Sequence, residues 1–199
     1  MTNSEKQIAL ITGATSGIGE AYARRFAAQG YDLIITGRRK ETINRISDEL
    51  ARICSVNVEV FIAELSNLED VGALAQKVRN TKNLDILVNN AGFGTTRHFH
   101  NEDLEGQQNM VRVHILTPMK LTYAALPNMI ARGKGAIINV ASLSAFYPLP
   151  RGATYSGTKA FMGAFSEAIH MELARTGLKV QALCPGFTRT DFHERIRNR

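Results

Sequence analysis

The sequence predicts a single α/β domain in three layers, with a parallel sheet covered by helices on both faces. Short β-rich segments alternate with longer amphipathic segments along all 199 residues, and no low-complexity linker separates them. The β-rich segments are apolar almost throughout, which is typical of strands that are buried on both faces. A glycine-rich turn directly follows the first of them.

The hydrophobic pattern places six strands and five helices. The predicted strands cover residues 7–12, 31–36, 57–62, 84–88, 135–141 and 178–183. The predicted helices cover residues 17–29, 40–52, 67–80, 103–131 and 153–176. In such sheets the crossovers are right-handed, and ligands bind at the carboxyl ends of the strands where the strand order reverses. We therefore expect the functional residues at that edge.

The composition is that of an ordinary globular protein, with 44% hydrophobic and 21% charged residues, and the length fits one domain over residues 1–199. No apolar segment approaches the roughly 20 residues that span a bilayer, and the start MTNSEKQ shows no export signal. Cys54 and Cys184 lie in different elements without CxxC spacing, which suits a reducing compartment. We expect a cytoplasmic protein without a membrane span.

The net charge of +6 raises the question of a nucleic-acid partner. The basic residues are spread along the chain, apart from residues 38–40 and four arginines near the end. Those arginines are Arg189, Arg195, Arg197 and Arg199. A solvated basic surface explains this distribution better than a nucleic-acid site, so no nucleic-acid partner is expected. Salt-dependent retention on DNA would test the alternative.

The segment TGATSGIGE places Gly13, Gly17 and Gly19 between the first strand and the first helix. Glycines allow a sharp turn and a close approach to a pyrophosphate, whose charge the N–H groups and dipole of the helix start stabilise. Thr15, Ser16 and Ile18 complete this loop. A plain tight turn is the alternative interpretation, but the position between strand and helix favours a phosphate-binding loop.

The segment DLIITGRRK, residues 32–40, lacks the acid that usually binds the ribose hydroxyls of NAD. Gly37 stands in its place, so nothing there repels a 2′-phosphate, and Arg38 offers a planar fork of donors for one. This favours NADP(H) over NAD(H). Arg39 is a candidate for stacking on the adenine, and Lys40 is expected to be solvated. The alternative is a helix start with solvated basic residues.

Two further motifs supply reactive groups at the same edge of the sheet. LVNNAG ends the fourth strand, and its small residues allow a flat ring to lie against the backbone. VASLSAFYPLPRGATYSGTKAF supplies Ser142 near the end of the fifth strand, and Tyr155 and Lys159 one helical turn apart. A close ammonium favours the phenolate, so we expect Lys159 to lower the pKa of Tyr155 from about 10 toward neutrality. Taken singly, each residue is commoner as a surface or capping group.

The TGxxxGxG, NNAG, Ser…YxxxK and CPGFTRTDF elements, in this order and spacing, resemble the short-chain dehydrogenase/reductase family across essentially the whole chain. The resemblance implies a doubly wound, Rossmann-type sheet and an oxidoreductase that uses NADP(H). It implies Tyr155 as general acid/base, Ser142 as the residue that orients the substrate, and Lys159 as cofactor ligand and Tyr155 partner. The further cofactor contacts that it implies are Glu64 and Leu65 near the adenine, Asn90, Ala91 and Gly92 beside the adenosine half, and Pro185, Gly186 and Thr188 at the nicotinamide carboxamide.

The chain departs from the family pattern at residue 114, where VRVHIL replaces the usual VRVNxL. The asparagine of the family supports a kinked helix and a water linked to the lysine. One hypothesis is that His114 takes over this part of a proton relay and titrates near neutrality. The alternative is a tolerated substitution without a catalytic part. His98, His100, His170 and His193 form no recognisable ligand set, so no metal site is expected.

A second departure is the ending TDFHERIRNR, because the family continues from here through a mobile helix pair over the substrate and then a last helix and strand. Either the natural protein is shortened or the sequence omits a tail. The second is favoured, because losing the last strand would bare a sheet edge and a core face.

The expected reaction is hydride transfer between nicotinamide and a carbonyl or secondary alcohol. The residues expected near the substrate are Phe93, Gly94, Phe146, Tyr147 and Leu149, and their apolar and aromatic character favours a lipophilic carbonyl. The alternative function is a nucleotide-binding sensor of the same fold without turnover.

Two predicted helices, 103–131 and 153–176, carry apolar residues over more than the one stripe that packs on the sheet. Members of the family often dimerise or tetramerise through these helices, so a homo-oligomer is expected.

Overall fold

A computed structural model describes residues 6–95, 97–188 and 190. Within this part of the chain, six strands form one sheet in the order β3–β2–β1–β4–β5–β6, and every neighbouring pair is parallel. The strands are β1 (Ile8–Thr12), β2 (Asp32–Gly37), β3 (Val58–Ile62), β4 (Leu84–Asn89), β5 (Ala136–Val140) and β6 (Lys179–Leu183). The strand order reverses between β1 and β4. The predicted doubly wound parallel sheet is confirmed.

Six α-helices connect the strands within the same ranges. They are α1 (Gly17–Ala28), α2 (Lys40–Cys54), α3 (Leu68–Asn80), α4 (Leu104–Val111), α5 (Thr117–Arg132) and α6 (Ala153–Glu172). The predicted long helix at 103–131 is divided by a π-helical segment, Arg112–Leu116, which joins α4 to α5. π segments are rare and are frequently found at functional sites. None of the helices in the described ranges is long and apolar enough to cross a membrane.

Two hydrophobic cores lie on opposite faces of the sheet. One contains buried residues of α3 and α5, and the other contains buried residues of α1 and α2. Successive side chains of a strand point to opposite faces, and in β1 Leu10 accordingly belongs to the first core and Ile11 to the second. Because both faces are covered, the loops at the carboxyl ends of the strands are the place where a ligand can reach the sheet. Residues 191–199, at whose end the family would continue into a helix pair over the substrate, lie outside the described residues.

Candidate active site

A cavity of about 740 Å³ opens at the carboxyl ends of the strands, on both sides of the switch between β1 and β4. This volume lies in the range of small-molecule and cofactor sites. The predicted residues that line it are Gly13, Thr15, Ser16, Gly17, Ile18, Gly37, Arg38, Glu64, Leu65, Asn90, Ala91, Gly92, Ser142, Tyr155, Lys159, Pro185, Gly186 and Thr188. Gly19, Arg39 and His114 are not part of its lining.

The glycine loop is built so closely that side chains at its glycines would clash. Gly13 and Gly17 have φ angles of 68° and 59°, in the left-handed region that favours glycine. A Cβ atom on Gly13 would lie 2.9 Å from the Cα atom of Ala91. A Cβ atom on Gly19 would overlap the carbonyl oxygen of Gly13. The loop is therefore a backbone cradle at the start of α1, which is the arrangement that a pyrophosphate requires.

Thr12, which the sequence analysis missed, ties this loop to the end of β4. Its hydroxyl oxygen accepts hydrogen bonds from the backbone N–H groups of Asn90 at 2.9 Å and Ala91 at 3.0 Å. In return, the side-chain amide of Asn90 donates to the carbonyl oxygens of Thr12 at 2.8 Å and Gly13 at 3.1 Å. Asn90 thus fixes the position of the glycine loop relative to the end of β4. The position of Thr12, last in a strand and directly before the first glycine, is the signal that could have revealed it.

Arg38 forms an ion pair with Glu64 at one end of the cavity. Its Nη1 atom lies 3.0 Å from Oε2 of Glu64, and Oε1 of the same carboxylate accepts from the backbone N–H and hydroxyl of Ser66 at 3.1 and 3.0 Å. Burial raises the pKa of Glu64, but the hydrogen bonds from Arg38 and Ser66 outweigh it and leave the pKa below its ordinary value. The backbone N–H of Glu64 donates to Asp70 at 2.7 Å. Glu64 is therefore a well-anchored carboxylate that holds the arginine.

The two neighbours of Arg38 have packing roles that the sequence did not reveal. A Cβ atom on Gly37 would lie 2.5 Å from Cγ2 of Thr15, so any side chain here would push against the phosphate loop. The guanidinium of Arg39 donates to the carbonyl oxygen of Thr15 at 2.7 Å. Arg39 is thus engaged with the loop backbone and is not presented to the cavity for stacking.

Ser142, Tyr155 and Lys159 come together although they belong to different elements. Ser142 lies two residues beyond β5, accepts from the backbone N–H of Ser144 at 3.1 Å, and hydrogen-bonds through its side chain to Tyr155. Lys159 lies one turn beyond Tyr155 on α6 and is 5% exposed. Its Nζ atom donates to the carbonyl oxygen of Val140 at 2.7 Å and lies 5.6 Å from the centre of the Tyr155 ring.

The electrostatics of this trio correct one prediction. Burial raises the pKa of Tyr155, and the hydrogen bond with Ser142 offsets only part of that rise. Burial also lowers the pKa of Lys159 to about 8, against an opposing interaction with Cys184. The expectation that Lys159 brings the pKa of Tyr155 down toward neutrality is therefore wrong for this arrangement, because desolvation of the phenol dominates. At neutral pH Tyr155 holds its proton.

His114 lies in the π-helical segment, is 2% exposed and uses both ring nitrogens. Nε2 accepts from the backbone N–H of Phe93 at 3.0 Å, which places the proton of the neutral ring on Nδ1. Nδ1 lies 2.9 Å from the hydroxyl of Thr158, and this hydroxyl donates to the carbonyl oxygen of Tyr155 at 2.7 Å. His114 therefore connects the loop after β4 to the turn of α6 that carries Tyr155.

The predicted titration of His114 near neutrality is not what the structure supports. Burial, and then the charge of Lys159, holds the pKa of His114 well below its ordinary value. The ring packs edge-on against Phe93 and Tyr155, at centroid distances of 5.6 and 5.7 Å. A Cβ atom on Gly92 would lie 2.9 Å from Nε2, so glycine is needed there for the ring to fit. Thr158 is a second partner that the sequence analysis missed.

Comparisons with known proteins agree with this geometry. A family model described as "short chain dehydrogenase" matches residues 7–199. An uncharacterised oxidoreductase of Staphylococcus epidermidis is 34% identical over 98% of this chain and 83% of its own length. A short-chain dehydrogenase from Sphingobium yanoikuyae, solved in complex with NADPH, superposes with a TM-score of 0.93 at 34% identity, covering 96% of this chain and 75% of that one.

A second similar structure is that of an enzyme named for the ketones on which it acts. The bulky-bulky ketone specific alcohol dehydrogenase from Comamonas testosteroni superposes with a TM-score of 0.90 at 33% identity, over 92% of this chain and 74% of its own. The residues that the family model matches, 7–199, include all six strands of the sheet and the glycine loop. This chain therefore belongs to the short-chain dehydrogenase family of oxidoreductases.

Proposed function

We propose that this protein is an NADP(H)-dependent oxidoreductase that interconverts a carbonyl compound and a secondary alcohol, with Tyr155 as general acid/base. The observation that carries the proposal is that Ser142, Tyr155 and Lys159 line the same cavity as the glycine loop. A cofactor on the loop and a carbonyl oxygen at Tyr155 can therefore occupy one continuous space. Membership of an oxidoreductase family supports the same reaction class.

The residues at the cofactor end fit NADP(H). The backbone cradle at Gly13 and Gly17 suits the pyrophosphate, and Arg38 at the far end of the cavity suits a 2′-phosphate. A carboxylate at residue 37 would meet Thr15 in addition to repelling the phosphate. NADPH is the ligand of the Sphingobium yanoikuyae relative.

The side chains at the substrate end of the cavity can hold a proton and transfer it to the carbonyl oxygen. NADPH, when bound, supplies a hydride to the carbonyl carbon. Tyr155 gives its phenolic proton to the carbonyl oxygen, so that C=O becomes CH–OH and a phenolate remains. Its raised pKa keeps the proton in place until charge develops on that oxygen. Ser142 orients the oxygen by a hydrogen bond, and the Lys159 ammonium stabilises the phenolate from below the ring.

The substrate end of the cavity favours carbonyl reduction of a lipophilic compound. Tyr147, Leu149 and Phe187 line it and are largely exposed, which leaves apolar surface open to a substrate. Phe146 lies beside them but is not part of the lining. The Comamonas testosteroni relative, described as specific for bulky ketones, supports the same class.

NADPH oxidation, followed at 340 nm with a panel of aromatic and aliphatic ketones, tests the proposal. We expect turnover by the wild type, and loss of turnover with retained NADPH binding for Tyr155→Phe. Turnover that survives in Tyr155→Phe contradicts the role of the phenol. NADPH binding without turnover across the whole panel instead favours a nucleotide sensor of the same fold.

We further propose that α5 and α6 form a homodimer or homotetramer interface. Their outer faces carry apolar residues that are exposed in the single chain, namely Met119, Tyr123, Ile130, Phe161 and Met171. Burying such a surface against a second copy is favourable. Light scattering is expected to show a dimer or tetramer for the wild type and a smaller species for Tyr123→Glu, and a monomeric wild type would refute the interface.

A further inference from the structure

Arg151 occupies a backbone position that is normally reserved for glycine. Leu149, Pro150, Arg151 and Gly152 form a turn in which the N–H of Gly152 donates to the carbonyl oxygen of Leu149 at 3.1 Å. A turn with proline in second place and a left-handed residue in third favours glycine in third place. Here the third residue is Arg151, with φ of 68°, and glycine comes only afterwards. Among the described non-glycine residues, only Ser55 shares a positive φ.

The turn leads directly into α6, the helix that carries Tyr155. The backbone N–H of Ser156 donates to the carbonyl oxygen of Gly152 at 2.7 Å, so α6 begins directly after the turn. Tyr155 lies four residues after Arg151 in the sequence, in the first turn of α6. Arg151 also lines the cavity. Residues in such sparsely populated backbone conformations cluster at active sites and ligand clamps.

The charges around the cavity leave Arg151 as the cation available to a substrate. The described lining contains three cationic side chains, on Arg38, Arg151 and Lys159, and one carboxylate, on Glu64. Glu64 pairs with Arg38 at the cofactor end. Lys159 is buried and donates to a backbone carbonyl. Arg151 forms no ion pair with a described residue.

We propose that Arg151 binds an anionic group of the substrate, so that the preferred substrates are carbonyl compounds with an apolar body and a carboxylate or a comparable anion. The guanidinium fork pairs with carboxylate through two parallel hydrogen bonds. Tyr147 and Leu149 line the same cavity and offer apolar surface to the rest of the substrate. This inference rests on the proposed oxidoreductase function and specifies its substrate class.

A matched pair of substrates tests the inference with purified protein and NADPH. The pair is 4-oxo-4-phenylbutanoate and its methyl ester, which differ in charge but share the ketone and the ring. We expect the wild type to prefer the acid in kcat/KM. Arg151→Gln should lose about ten-fold on the acid, equivalent to about 1.4 kcal/mol, and little on the ester. Arg151→Lys keeps the positive charge but lacks the planar fork, so it should retain only part of the preference.

Arg175→Gln is the matched control for the loss of one positive charge. Arg175 is exposed beyond the end of α6 and before the start of β6, at the opposite edge of the sheet. We expect this variant to keep the wild-type preference for the acid. Equal losses on acid and ester in Arg151→Gln, or a wild type that does not prefer the acid, would overturn the anion site.

A binding experiment separates this inference from the proposed reaction. 4-Phenylbutyrate has the anion and the ring but no ketone, so calorimetric titration into the NADPH-loaded protein measures the anion site without turnover. We expect weaker binding to Arg151→Gln than to the wild type. If no ketone is reduced but this binding depends on Arg151, the anion site stands and the reductase proposal falls. If phenylbutyrate does not bind, or binds both proteins equally, the anion site is refuted.

Discussion

The Nη1 atom of Arg38 lies 3.0 Å from Oε2 of Glu64, in a pair that crosses the cofactor end of the cavity. Both side chains are partly exposed, at 56% and 40%, so the pair contributes little to folding by itself. Its importance lies in placing a guanidinium whose other N–H groups remain available to a ligand.

Arg38→Ala is expected to weaken NADPH binding about ten- to hundred-fold and NADH binding far less. A charge-assisted hydrogen bond is worth about 1.5–3 kcal/mol, and only NADPH carries the 2′-phosphate that would receive it. Fluorescence titration of both cofactors measures the two losses, with Lys40→Ala as the control for charge. Equal losses for NADPH and NADH would contradict the assignment of Arg38.

Glu64→Gln tests the other half of the pair through its pH dependence. The pKa of Glu64 is lower in the folded protein than its ordinary value, so its contribution to stability is fully present above the ordinary pKa and is lost as the pH falls through the folded pKa. We expect the variant to be less stable than the wild type at pH 7, by less than about 1 kcal/mol. Urea unfolding at successively lower pH should show this difference shrinking, and a difference that stays constant as the pH falls would indicate another cause.

Lys159 is expected to cost stability when it is protonated. Burial lowers its pKa from 10.5 to about 8, so between these values the unfolded chain binds more protons than the folded one. Stability from this group therefore rises with pH across that window. Urea unfolding of the wild type and Lys159→Met from pH 7 to 10 isolates the contribution. As the pH rises, the free energy of unfolding of the wild type should increase relative to that of the variant. If the two free energies change in parallel, the lysine is not desolvated.

His114→Asn distinguishes a positioning role from a titrating one. The pKa of His114 lies well below neutrality and both ring nitrogens are engaged, so the acid limb of the kcat/KM profile should not move in the variant. The loss of the bonds to Phe93 and Thr158 should lower stability by about 1–3 kcal/mol.

Thr158→Val provides the matched comparison, because it removes the same link from the side of α6. We expect Thr158→Val to lower the free energy of unfolding in parallel with His114→Asn, and to leave the acid limb where it is. A shift of the acid limb in His114→Asn that is absent in Thr158→Val would revive the proton-relay hypothesis.

Helices and strands with a regular hydrophobic period could be predicted from the sequence, whereas contacts between side chains of distant segments could not. Alternation of apolar strands with amphipathic helices predicted all six strands and the parallel sheet. The division of the helix at Arg112–Leu116 had no signal in the hydrophobic pattern, because a π turn changes the period by only one residue. The links of His114 to Phe93 and Thr158 join distant segments, which no local pattern encodes.

The sequence by itself determined the order of strands and helices, the glycine loop and the motif residues, because periodicity and backbone freedom are local properties of the chain. Tertiary structure decided which groups meet and how they ionise. It joined Arg38 to Glu64, raised the pKa of Tyr155 and lowered that of Lys159. Those outcomes depend on burial and on distances between segments far apart in the chain, and folding alone sets both.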